Sequence, residues 1–214
     1  MRGMTLLQIV VVIVIIGFLA ALVLPMLAYA RESSRRTQCS SYIRSMMSAL
    51  YLYADSPSNG GHFPTDAPTT DDPFAASGGA ASLGLLYRQY ISDPRIFVCP
   101  SDPVPRPFQS LSRINSLSDR NAEKFRPEHI SYAYDPGHGQ KSGAFVVIMG
   151  DKKGSGENSD NHGRGKGQCV VFGTTAEFRS SVQSPLDEKG ARSDPNIFAR
   201  NVELPRDEDS VLRE

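Results

Sequence analysis

From Met4 to Leu27 the chain is apolar almost without interruption, and from Ile43 to Ala54 the apolar positions thin to a stripe. In the first stretch only Thr5 and Gln8 carry strongly polar side chains, so a helix built from it has no face that prefers water. In the second, Ile43, Met46, Met47, Leu50 and Ala54 recur at i, i+3, i+4 spacing, with Arg35, Arg36, Gln38 and Arg44 before and among them. That is the period of an amphipathic helix. Between Gly17 and Ala54 the one helix breaker is Pro25. The pattern therefore predicts a single helix from about Thr5 to Ala54, loosened near Pro25, where the ring removes a backbone donor and crowds the preceding turn. At 1.5 Å per residue it would be on the order of 75 Å long. Crossing a bilayer takes roughly 20 apolar residues. The first half suits a membrane and the second suits the underside of a domain.

Beyond this helix the pattern breaks into short pieces. Residues 53–84 are rich in Gly, Pro, Ser, Thr and Asp and read as a long connection. "ASLGLLYRQYI" predicts a short helix and "RIFVCP" a short strand, while residues 101–129 read as irregular with one helical turn. "SYAY", "AFVVIMG" and "QCVVFGTTAEF" are β-branched and aromatic runs bounded by turn residues, the best strand candidates. Together they predict an α+β fold, with a small antiparallel sheet laid against the amphipathic half of the helix. After Ser184 the text is mixed in charge and poor in apolar residues, which predicts an irregular tail with disorder at its end.

Composition adds exclusions. With 214 residues the chain holds one ordinary domain plus an extra segment. A formal net charge of zero gives no electrostatic footprint for nucleic acid, and none is expected as a partner. Cys39, Cys99 and Cys169 are too scattered for a CxxC metal site. If the domain is exported, one pair of them is a disulfide candidate and the third a leftover thiol, with the pairing open. The richest polar loop is Gly150–Gly167. Its Asp151, Glu157 and Asp160 are candidate calcium ligands, since clustered carboxylates in a flexible loop suit that ion, although a solvated hairpin loop is the favoured reading of the stretch. No other cofactor is expected. His62, His129, His138 and His162 are far apart, and no GxSxG or Cys-His signature is present, so the sequence points away from an enzyme.

The fate of the first helix has two readings. Arg2 and Ala28-Tyr29-Ala30 have the form of a basic n-region and a signal-peptidase site, which would release a secreted binding domain. The apolar run, however, exceeds the roughly 7–15 residues of a signal h-region, and the helical pattern continues past Ala30. Arg2-Gly3 followed by Met4-Thr5-Leu6-Leu7 resembles the class III signal of type IV pilins and type II secretion pseudopilins. That resemblance implies cleavage by a prepilin peptidase between Gly3 and Met4, and methylation of the new terminus at Met4. Gly17 and Pro25 stand where such helices carry a loosening glycine and proline, and Gln8 stands where most members have glutamate.

A bacterial family of prepilin-like proteins is similar over more of the chain. Its motifs have counterparts in Arg35–Cys39, Cys99–Asp102, Ser131–Tyr134 and Asn161–Phe178, with a departure around Gly173–Thr175, where the family carries Asp-Gly-His. The resemblance implies a division into a leader (1–3), a transmembrane and assembly helix (4–27) and its amphipathic continuation (28–55). An α+β head (56–184) and a charged tail (185–214) follow. It also implies a single-pass protein of the bacterial inner membrane whose head is periplasmic or on a filament. Other pilin or pseudopilin subunits would be its partners. A minor structural subunit is the expected role. The positively charged Arg31, Arg35, Arg36 and Arg44 would then lie on the exported side, either facing headgroups or meeting acidic residues of a neighbouring subunit.

Overall fold

A computed structural model describes residues 6–66, 78–104, 126–156, 158–164, 166–173, 175–180, 183, 196–199 and 211–213. The predicted long helix is α1, Leu6–Ala54, running through Pro25 as one element. A short helix α2 (Gly79–Gly84) and two 3-10 turns, Pro94–Phe97 and Pro127–His129, precede a four-stranded antiparallel sheet. Its strands are β1 (Tyr132–Tyr134), β2 (Val147–Asp151), β3 (Gln168–Phe172) and β4 (Thr175–Arg179), ordered along the sheet as along the chain. The architecture is the α+β arrangement of a long helix on a small sheet, consistent with a pilin-like fold.

One face of the sheet lies on the second half of α1, which packs against β3 and β4. The stripe read from the sequence is the buried one: Ile43, Met46, Met47, Leu50 and Ala54 are all enclosed. They meet Leu83, Leu86, Phe97, Tyr132, Tyr134, Met149 and Val171 in one apolar core. The opposite face of the sheet is also covered. Ala133, Val147 and Val170 pack there against Ile197 and Leu212. A sheet covered on both faces explains why β2 and β3 read as unbroken apolar runs and not as alternating ones.

The structure corrects three expectations. "RIFVCP" is a 3-10 turn and not a strand, because Pro94 at its start presets the backbone and the Asp93 carboxylate accepts the Arg95 amide proton. "QCVVFGTTAEF" is two strands, β3 and β4, folded back with Phe172 opposite Thr175 and Gly173 in the left-handed region at φ +51°. The end of the tail is docked: Arg213 exchanges both backbone hydrogen bonds with Tyr134, and the Leu212 amide donates to Ile197 O. Gly79 makes room for this contact, since a Cβ there would stand 2.0 Å from the Arg213 carbonyl oxygen.

Candidate functional site: an uncovered apolar helix and a buried thiol cluster

The first feature is the unpacked half of α1. From Leu6 to Leu27 every large apolar side chain is exposed, including Val14, Ile16, Phe18 and Leu22. None of its most apolar 18-residue window is buried against the head. Among the described residues nothing of the head covers this segment, which leaves its apolar surface for lipid or for other helices. It is long and apolar enough to cross a membrane and fits a single-pass anchor. Gln8, Gly17 and Pro25 lie on it, and a Cβ on Gly17 would meet nothing within 4 Å. Gly3 and Met4 lie outside the described residues.

The second feature is a buried polar cluster under the other half of the helix. Five separate segments supply it. Cys39 comes from α1, Cys99 from the loop after the first 3-10 turn, Asp151 from the end of β2, Cys169 from β3 and His162 from a tight turn before β3. All three cysteines are free thiols and buried. The ligating atoms of Cys39, Cys99, Asp151 and His162 lie within 4.8 Å of one another. His162 Nε2 is 3.3 Å from Cys99 Sγ, 3.5 Å from Cys169 Sγ and 3.5 Å from Asp151 Oδ2. Its other nitrogen, Nδ1, is 2.9 Å from Glu32 Oε1, and Glu32 Oε2 accepts a hydrogen bond from Ser101 Oγ. His162 holds φ +48° and ψ +50°, a conformation that costs a β-carbon residue about 1–2 kcal/mol and persists only where its surroundings hold it.

Each member of the cluster has a second partner. The Cys169 amide donates to Asp151 Oδ2 at 2.7 Å, and Asn161 Nδ2 donates to Oδ1 at 2.9 Å. The Tyr132 hydroxyl is 3.4 Å from Cys39 Sγ, the Ser101 amide donates to Cys99 Sγ, and Ser40 Oγ donates to Cys169 Sγ. Electrostatics follow from burial and proximity. Burial pushes the Asp151 carboxyl well above its usual range, with the neighbouring Cys99 and Cys169 sulfurs adding to it. The Cys39 thiol is pushed up by burial and by hydrogen bonding to Cys169 and Cys99. Its hydrogen bond in turn draws Cys169 down to about 5 and Cys99 down to about 6, with His162 helping both. Burial opposes charge on His162, yet hydrogen bonds to the Cys169 and Cys99 sulfurs and the Asp151 charge carry it up to about 11.

The expected calcium ligands divide. Asp151 is turned into the thiol cluster, Asp160 bonds the Ser155 amide and hydroxyl, and Glu157 lies outside the described residues. Of the helix arginines, Arg36 stacks over the Phe178 ring at 4.1 Å and Arg44 donates to Ala176 O, so both fasten α1 to β4. Arg31 and Arg35 remain exposed. The histidines and cysteines looked isolated along the sequence, and their convergence was missed. The signal available was that three of the four prepilin-like motif segments carry a Cys or His, and the fourth carries Tyr132.

The chain is similar to proteins named type II secretion system core protein G. The one from Klebsiella pneumoniae is 36% identical over 111 residues, which cover 52% of this chain and 74% of that relative. Its namesakes from Pectobacterium carotovorum subsp. carotovorum and Escherichia coli K12 are 36% identical over 111 and 102 residues, covering 67% and 66% of their own lengths. No protein-family model and no solved structure matches the chain.

Proposed function

Because the chain belongs to the family of type II secretion core protein G, a pilin-like family, we propose that it is a structural subunit of a pseudopilus or related filament and not an enzyme. The observation that carries this is the uncovered apolar half of α1, continuous with a half that is fastened to a folded head. The first half stores the subunit in the inner membrane, with the head on the periplasmic side. Assembly exchanges lipid contacts for contacts with the helices of neighbouring subunits. Lipid already solvates the apolar surface, so helix packing and satisfied polar groups drive that exchange. Processing follows the leader pattern, a prepilin peptidase cutting between Gly3 and Met4.

Gln8 gives the subunit its place. A carboxylate within the bilayer costs about 2.5–3.5 kcal/mol on insertion scales, which favours docking onto a positive partner. An amide lacks that drive, so the chain takes a minor position where no neighbouring amine has to be neutralised. Filaments sheared from the source cells test both points. The chain is expected there as a trace component, and Gln8→Glu is expected to raise its share relative to the membrane pool. Absence from filaments would contradict assembly, and presence as the bulk component would contradict the minor position.

A further inference from the structure

We propose that Cys39, Cys99, Cys169 and His162 form a closed, structural zinc site that ties the long helix to the head. The inference goes beyond filament assembly and does not depend on it.

Donor chemistry comes first. Three thiols and an imidazole are soft and borderline ligands, the set that suits zinc, whereas calcium takes oxygen ligands. Geometry agrees. In a tetrahedral site with Zn–S of about 2.3 Å and Zn–N of about 2.0–2.1 Å, sulfur and nitrogen stand about 3.5 Å apart. Cys99 Sγ and Cys169 Sγ are 3.3 and 3.5 Å from His162 Nε2. Cys39 completes the set, its sulfur within 4.8 Å of the Cys99 and His162 ligating atoms. The ligating atoms that lie mutually within 4.8 Å are those of Cys39, Cys99, His162 and Asp151, but both oxygens of Asp151 already accept, one from the Cys169 amide and one from the Asn161 side-chain amide. We therefore place it as the group that orients the Cys169 backbone, and Cys169 as the fourth ligand.

The surroundings are those a zinc–thiolate site requires. Each sulfur also has polar partners around it: the Tyr132 hydroxyl and Asp151 Oδ1 for Cys39, the Ser101 amide for Cys99, and the Ser40 hydroxyl and Arg36 carbonyl oxygen for Cys169. The imidazole presents Nε2 to the sulfurs while Nδ1 faces the Glu32 carboxylate, the carboxylate–histidine pairing that fixes a ligand's tautomer and ring plane. Glu32 is itself held by Ser101 and Arg36. Cys39, Cys169 and His162 are 0% exposed and Cys99 2%, so four protein ligands leave no open position for a substrate. His162 combines its left-handed backbone with a fully buried ring. Loading the site releases the thiol protons, and the bound ion links α1, the Cys99 loop, the His162 turn and β3.

The test uses the full chain, purified in detergent under reducing conditions without chelator. Elemental analysis is expected to find about one zinc per chain, as one closed four-ligand site requires. Replacement by cobalt is expected to give intense visible bands and a sulfur-to-cobalt charge-transfer band, and X-ray absorption three sulfurs and one nitrogen. Chelation is expected to lower Tm and expose the thiols to a thiol reagent, and zinc to reverse both. A folded wild-type chain that takes up neither zinc nor cobalt would overturn the proposal. So would a disulfide among the three cysteines in protein prepared with zinc present, or a site with only two sulfurs. Cys99→Ser is expected to lose zinc; because that variant can also fail to fold, the wild-type metal content and cobalt spectrum carry the decision.

Discussion

Arg36 shows how a single side chain divides its work. Its guanidinium lies over the Phe178 ring, and its Nε stands 3.5 Å from Glu32, which in turn meets His162. A charge that the sequence left between a headgroup contact and a contact with a neighbouring subunit is thus largely engaged within its own head. Arg35, one position away, is exposed. Arg36→Ala is expected to cost the head about 1 kcal/mol in denaturant unfolding, from the lost cation–π and ion-pair contacts, whereas Arg35→Ala stays within about 0.5 kcal/mol. Cys39, Cys99, Cys169 and His162 teach the complementary lesson. Their spacing along the chain has no metal-ligand period, because each comes from a different element and only the tertiary fold closes the distance.

At the scale of elements, α1 was almost wholly readable. Its apolar run and its i, i+3, i+4 stripe are local periodicities, and the structure buries the stripe residues and leaves the run bare. Leu50, fully enclosed, and Leu52, 62% exposed, sit two positions apart on opposite sides of the same helix. Leu50→Ala is expected to destabilise the head by about 2–5 kcal/mol, through lost transfer energy and the cavity left behind. Leu52→Ala is expected to change unfolding by no more than about 0.5 kcal/mol. The short elements were less readable. "RIFVCP" has strand-like residues, but Pro94 and the Asp93 cap decide its conformation. The β3–β4 hairpin was hidden because a two-residue turn at Gly173 interrupts the apolar run so briefly.

The whole molecule has two surfaces of opposite character: a head whose sheet is covered on both faces, and a half-helix that none of the described residues encloses. The second sheet face could not be read from the strands, because its cover comes from residues 196–199 and 211–213, in a stretch whose composition suggested disorder. Asp135 helps hold that cover, its carboxylate accepting the Val211 amide proton while His138 stands 3.1 Å away. Relatives named for a secretion apparatus, and an apolar helix that extends from the head, place the functional weight on whether that helix is kept. The mass of the mature N-terminus, measured on the chain isolated from its native membrane, tests this most directly. A subunit processed for assembly begins at Met4 and carries one methyl group there, and that is the expected mass. A chain beginning at Arg31 would contradict it, since the helix that is to pack into the filament would have been removed.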